Sequence, residues 1–302
     1  VQPQQIAYWR SYDPAAPANP PELWLMDADG TDGRPITTGL YVDSGPDWSP
    51  DGSMLAFVAI DQSVPGTSPV VVWVVNADGT GLRNVSNLTD DVRAPSWSPD
   101  GTQLAYVRNW DIWVINADGT GNHPVVVDPH LQEGADWSPD GSRLVYPSHL
   151  VVGNNLTGDS EIWTVEPDGS NPIRLTEPGD RVGPMWTPDG TEIAFAEYVV
   201  QQFPAQDNSD VWVMNADGSN RRNLTNDTTR YDGSPSWSAD GTQIVFDSKG
   251  PIRVFGDPFA EHPDLRNDPP AHIYTIPAAG GPKTQLTFGE QTDQWAAWRP
   301  VV

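Results

Sequence analysis

Two short motifs alternate along the whole chain, and that alternation limits its possible folds more than any other feature. The first is Trp-Ser-Pro-Asp-Gly at residues 48–52, 97–101 and 137–141. It returns as Trp-Thr-Pro-Asp-Gly at 186–190, as Trp-Ser-Ala-Asp-Gly at 237–241, and truncated at 298–300. The second runs from an acidic or polar residue through an apolar one, an aromatic and two mostly apolar residues into, typically, Asn-Ala-Asp-Gly. It occupies 22–30, 71–79, 111–119, 161–169, 210–218 and, degenerate with Tyr274 in place of Trp, 272–280. Its aromatic anchors Trp24, Trp73, Trp113, Trp163, Trp212 and Tyr274 stand about 40 to 60 residues apart, the length of one β-propeller blade.

Each interval reads as four antiparallel strands. A Pro-x-Trp segment enters a Pro-Asp-Gly turn, followed by an apolar strand such as 103–107, the Ile-Trp-Val strand, an Asp-Gly turn and a short strand such as 222–225. Proline presets φ for the first central turn position and glycine accepts positive φ, so both turns are tight hairpins. The Trp side chains are expected to fill the wedges between blades. At the ends, 5–9 reads as a second strand without a first, and 295–300 as a first strand with nothing after it. Joining them closes a ring with no free edge. The prediction is an all-β, six-bladed propeller forming one domain over 1–302. Its blades are 4–38 with 292–300, 45–88, 94–127, 134–176, 183–225 and 234–287.

Composition agrees and excludes several functions. Fourteen Trp, 27 Gly and 31 Pro suit many short strands punctuated by turns. A net charge of −25, from 41 acidic and 16 basic residues, opposes binding to nucleic acid or an anionic membrane and favours cations and basic protein surfaces. Cysteine is absent, which excludes disulfides and thiolate metal sites. No apolar run reaches the roughly 18 residues of a membrane helix, and Val1 does not open a signal peptide. A soluble, mature or trimmed, monomeric chain is expected.

The repeats, including Asp-Ile-Trp-Val-Ile-Asn-Ala-Asp-Gly-Thr at 111–120 and the Leu-Thr pairs, resemble those of the TolB propeller family along essentially the entire chain. They are also similar to the propellers of prolyl-oligopeptidase-like peptidases and oligogalacturonate lyases. The TolB resemblance implies a bacterial periplasmic or secreted location. It also implies a protein-binding role, since the propeller of that family binds the lipoprotein Pal at the mouth of its channel. TolB proteins carry an α/β domain ahead of the propeller, which these 302 residues do not include.

Successive hairpins alternate between propeller faces, so the Pro-Asp-Gly and Ala-Asp-Gly turns share one face. The opposite face carries the insertions 11–21, 61–69, 151–160, 199–209 and 249–271, and variable loops on a rigid scaffold are where binding is expected. Shortly before the first-motif Trp, every unit has an acidic residue: Asp43, Asp91, Glu133, Asp180, Asp232 and Asp293. As a ring at the channel mouth, with Arg93 and Arg181 beside it, these would attract a basic group or a divalent cation such as calcium, although no cofactor is required. Asp43, Asp232, Asp293, His130, His149 and His272 are the candidate metal ligands. Tyr12, Tyr41, Tyr198, Phe203, Tyr231, Phe255 and Phe259 could anchor a peptide or stack on a carbohydrate.

Residues 27–32 superficially resemble a calcium loop, but the spacing fails and the same turn recurs elsewhere, so it reads as structural. The five histidines, His123, His130, His149, His262 and His272, form no close ligand pair, although oligogalacturonate lyases resemble a picture in which propeller histidines hold a metal. No Gly-x-Ser-x-Gly elbow or phosphate loop is present, and no catalytic residue is assigned. The leading expectation is a protein- or peptide-binding propeller. A metal-dependent polysaccharide lyase or other enzyme with its site at the channel mouth is the alternative. A peptidase propeller or structural scaffold comes third.

Overall fold

The computed structural model describes residues 4–11, 20–61, 69–86, 92–152, 155–199, 208–250 and 270–300, with backbone alone at 43, 152, 155–158 and 199. Tyr12, Asp91, Phe203, Phe255, Phe259 and His262 lie outside the described residues, as does much of the five insertions.

The first unit contains β1 (Gln5–Arg10), β2 (Glu22–Asp27) and β3 (Arg34–Pro35). The second orders β4 (Tyr41–Trp48), β5 (Met54–Ile60), β6 (Val70–Asn76) and β7 (Arg83–Asn84). The third has β8 (Val92–Trp97), β9 (Gln103–Arg108), β10 (Asp111–Asn116) and β11 (His123–Val126). In the fourth, the inner edge is split into β12 (Leu131–Gln132) and β13 (Asp136–Trp137), followed by β14 (Leu144–Val152), β15 (Asn155–Val165) and β16 (Ile173–Arg174). The fifth contains β17 (Arg181–Trp186), β18 (Glu192–Val199), β19 (Asn208–Asn215) and β20 (Arg222–Asn223). The sixth contains β21 (Tyr231–Trp237), β22 (Gln243–Lys249), β23 (Ala271–Pro277) and β24 (Thr284–Gln285). One parallel bridge, Ser209 to Tyr231, links the last two units.

The final strand, β25 (Asp293–Trp298), completes the first unit by pairing antiparallel with β1, Ile6 opposite Trp298 and Arg10 opposite Asp293. This is the expected closure, with the strand starting two residues earlier than the sequence suggested. Packing tells the same story. Each of six apolar clusters spans one junction between neighbouring blades. One of them seats Val245, Ile273 and Leu286 of the sixth blade against Ile6, Tyr8, Ala296 and Trp298 of the first. Burial on both faces explains the nearly unbroken apolar runs of the second strands, as in Met-Leu-Ala-Phe-Val-Ala-Ile of β5.

The turn aspartates are structural. Asp51 Oδ1 accepts the Ser49 hydroxyl at 2.6 Å and the Ser53 N–H at 3.0 Å, beside Gly52 at φ 63°. Asp100, Asp140, Asp189 and Asp240 repeat this arrangement. Asp29, in the segment resembling a calcium loop, spends its carboxylate on Thr31.

The blade junctions follow a two-blade alternation. Trp48, Trp137 and Trp237 donate their indole N–H to Ala297, Ser96 and Met185 carbonyls of the preceding blade at 3.2 to 3.3 Å. At the intervening junctions the bond is reversed in kind. Asp47 and Asp136 carboxylates accept the backbone N–H of Trp97 and Trp186 at 2.6 and 2.8 Å, and Asp247 accepts that of Trp295 at 3.3 Å. The indole nitrogens of Trp97, Trp186 and Trp298 are correspondingly left without partners.

A β-bulge interrupts several inner strands three residues before the motif Trp, where Ala94, Gly183, Ser234 and Trp295 adopt φ of 45° to 57°. Gly45 holds the equivalent position in β4. A Cβ there would fall 2.2 Å from that of Trp295, so only glycine fits.

Candidate functional site

Across the fourth and fifth blades, backbone pairing sets up a continuous row on the loop-rich face. Leu131 lies opposite His149, His149 opposite Ser160, and Ser160 opposite Gly179. This row brings Glu133, two residues after Leu131, and Asp180, next to Gly179, to the same patch as the His149 ring. Glu133 Oε2 stands 3.2 Å from His149 Nε2, and Glu133 is exposed while His149 is 7% exposed. Glu133 is therefore the partner of the buried Nε2, as an ion pair when the imidazole is protonated.

Electrostatics tie the group together. Hydrogen bonding to His149 holds the Glu133 carboxyl below the usual range against the effect of its own burial, and the charges of His149 and Arg93 add to this. Arg93 lies 4.1 Å over the ring of Trp110, which sits with Asn109 in a left-handed two-residue turn. The Asp180 carboxyl is pushed up, first by burial and then by Glu133 and Asp159, with His149 opposing. Its backbone carbonyl accepts the Tyr198 N–H at 2.8 Å, which anchors an aromatic wall: the Tyr198 and Tyr231 rings are 6.1 Å apart and tilted by 50°. Burial, then Asp247, Asp180 and Glu133, push the Tyr198 phenol up to about 12.

Several of the other candidate residues are committed elsewhere. Arg181 is buried, pairs with Glu197 at 2.7 Å and donates to the Glu177 carbonyl. Asp293 is fully buried and held by Arg10 through contacts of 2.6 and 3.1 Å. Asp232, also fully buried, receives Lys283 at 2.6 Å and the Ser248 hydroxyl at 2.5 Å. Asp43 belongs to β4 but only its backbone is described, and Asp91 is outside the described residues. His130 Nδ1 accepts the Val151 N–H at 3.1 Å. His272 has a buried Nδ1 without a partner; burial lowers its pKa, Arg230 and Arg10 add to that, and Asp293 opposes it. Among the described residues, no three His, Asp or Glu side chains converge closely enough to hold a metal ion.

A groove of about 640 Å³ lies on the short-turn face between the fourth and fifth blades, lined by Pro139, Arg143, Trp186, Asp189 and Asp217 among others. Its aspartates are spent on their own turns and Arg143 on Thr164 and Asn171, so the groove offers less free chemistry than the opposite face.

Counting back from the motif Trp found Glu133 and Asp180 but missed the carboxylates at the blade junctions, Asp47, Asp136 and Asp247. For the first two a signal was present: Asp-Trp replaces Ser-Trp at 47–48 and 136–137. Asp159 was missed because it lies within an insertion.

Fold and site together define a β-propeller of four-stranded blades with a polar, aromatic patch on its loop-rich face. Within that class the chain belongs to the TolB beta propeller domain family, which it matches over residues 3–203. TolB from Acinetobacter baumannii superposes with a TM-score of 0.76 at 20% identity, over 99% of this chain and 67% of that one. A putative TolB from Agrobacterium tumefaciens gives 0.62 at 20% identity, over 99% of both chains. An oligogalacturonate lyase in complex with manganese gives 0.56 at 16% identity, over 95% of this chain and 74% of that one. At such identities these likenesses speak for the fold alone. No curated protein matched the sequence. Among the described residues, no helix is long and apolar enough to cross a membrane.

Proposed function

We propose that this propeller is a protein- or peptide-binding module that engages its partner with the loop-rich face, in the bacterial periplasm or outside the cell. Membership of the TolB family supports both the binding role and the location. The choice of face rests on one observation: half-buried Asp180, exposed Glu133 and the buried His149 ring share a patch beside the Tyr198–Tyr231 pair. Incompletely neutralised carboxylates beside rigid aromatic surface favour a basic segment carrying an apolar stem, and the chain's charge of −25 would steer such a segment inward.

The test is affinity capture from a periplasmic extract with three proteins: the unaltered chain, a Glu133→Lys/Asp180→Lys variant and an Asp78→Lys/Asp118→Lys variant on the opposite face. Capture lost only in the first variant is the expected result. Capture lost only in the second would overturn the choice of face.

A further inference from the structure

Resting on that reading of the loop-rich face, we infer that Trp110 is its anchor for a partner segment of one chemistry: a proline docked on the indole, with a basic residue beside it at Glu133. Asn109 and Trp110 alone join β9 to β10, with Arg108 and Asp111 paired on either side of them. Both adopt positive φ, 53° and 69°, the conformation of a two-residue hairpin turn that ordinarily ends in glycine. Asparagine tolerates that conformation, whereas a bulky residue is strained in it. Among the described residues, the others at positive φ are Gly, Asn, Asp, Ala or Ser, except Trp295. Packing accounts for Trp295, whose ring meets Trp9 edge-on at 5.3 Å. It does not account for Trp110, which belongs to none of the six apolar clusters and stays partly exposed. A strained tryptophan thus stands where glycine would fit and where its ring fills no core, and strain of that kind points to a role in binding.

The surroundings of the ring select the ligand. The Arg93 guanidinium lies 4.1 Å over it. Among the described residues nothing accepts a hydrogen bond from the Trp110 indole N–H, which is not enclosed as those of Trp97, Trp113 and Trp186 are. Indole and guanidinium donate and cannot accept. They suit a segment that presents carbonyl oxygens without N–H groups, as consecutive prolines do in their extended left-handed helix, with the proline ring laid on the aromatic face. The acidic half of the subsite adjoins this one through the backbone. The Trp110 carbonyl accepts the N–H of Gln132 at 2.9 Å, which fixes Glu133 one residue beyond the bond. Glu133 is exposed, so a basic residue flanking the proline can reach its carboxylate from solvent while His149 holds it from within.

The experiment follows the Trp110 indole N–H in the full chain by NMR, its signal identified by its loss in Trp110→Gly. The peptide acetyl-Ala-Pro-Pro-Lys-amide is titrated in, with one analogue carrying Ala for both prolines and another carrying Glu for Lys. Saturable movement of the Trp110 signal by the first peptide is expected, with binding about tenfold weaker for either analogue and for Glu133→Gln. Trp110→Gly and Trp110→Asn should abolish binding, read by fluorescence anisotropy of the labelled peptide, with thermal midpoints unchanged or raised, because both residues accept the positive φ. Equal binding of the Ala analogue, no response to the first peptide, or a fall in both midpoints would overturn the assignment. Capture lost in the Glu133→Lys/Asp180→Lys protein, with no peptide response at Trp110, would sink this inference and leave the choice of face intact. A peptide response at Trp110 with capture indifferent to Glu133 and Asp180 would do the reverse.

Discussion

Asp47 Oδ2 accepts the backbone N–H of Trp97 at 2.6 Å across the junction of the second and third blades. Asp136 repeats the bond to Trp186. Both carboxylates are enclosed by protein yet keep part of their surface accessible, and each ties one inner strand to the next.

That arrangement predicts a pH dependence. Burial pushes Asp47 and Asp136 up to about 7 and Asp247 up to about 6, with the hydrogen bonds they accept opposing it. Between the ordinary value of 3.8 and these values the folded chain keeps protons that the unfolded chain has released. Stability contributed by these groups is therefore lost as pH rises across that window. Allowing for the partial exposure of Asp47 and Asp136, each of these two accounts for about 1–2 kcal/mol of that loss. The turn aspartates act at the other end: Asp140, held down to about 2 chiefly by the Ser138 hydroxyl and then by Ser142, loses its contribution as pH falls below the ordinary carboxylate value. Urea midpoints are expected to peak near about pH 5 and fall by about pH 8, and Asp47→Asn should flatten the upper limb.

The two-blade alternation separates otherwise identical tryptophans. Trp48→Phe removes the indole bond to the Ala297 carbonyl and should cost about 1 kcal/mol beyond the change in packing. Trp97→Phe removes an N–H that has no partner and should cost clearly less. Paired denaturant titrations measure the difference, and equal losses would count against the alternation.

Gly45 and Trp295 constrain each other at the seam where the ring closes. Gly45→Ala places a Cβ 2.2 Å from that of Trp295 and should destabilise by about 1–3 kcal/mol. In a Trp295→Gly background the same substitution should cost much less, because the facing side chain is gone and glycine accepts φ 51°. A double-mutant cycle reads the coupling directly.

Closure also depends on Arg10 and Asp293. Arg10→Ala leaves the fully buried Asp293 without its cation and is expected to cost about 3–5 kcal/mol. Adding Asp293→Asn should restore part of that loss, since the stranded charge disappears. Calorimetry of the single and double variants would show whether the seam is the weakest junction.

Much of the architecture was legible because it is written redundantly. Six copies of a Trp motif, five of them followed by a Pro-Asp-Gly or similar turn, leave little freedom over blade count or hairpin position. The incomplete strand sets at 5–9 and 295–300 point to their own pairing. The candidate site was half legible: Glu133 and Asp180 stand at a readable offset from Trp137 and Trp186, and Tyr198 and Tyr231 lie in variable-face segments. What could not be read was which carboxylates remain available. Lys283 reaches Asp232 from 51 residues further along the chain, and Arg10 reaches Asp293 from the opposite terminus.

By itself, then, the sequence determined the blade, because turn chemistry and strand periodicity act over a few neighbouring residues and are repeated in each unit. Only the tertiary structure decided the charges. Whether an acidic side chain is buried, paired or free depends on which strand from a neighbouring blade or distant segment is packed against it, and bulges such as those at Ala94 and Trp295 redirect the inner strands by amounts that no offset count registers. Of the expected ring of like carboxylates, the four whose side chains are described divide into two internally neutralised pairs, at Asp232 and Asp293, and one patch around Glu133, His149 and Asp180.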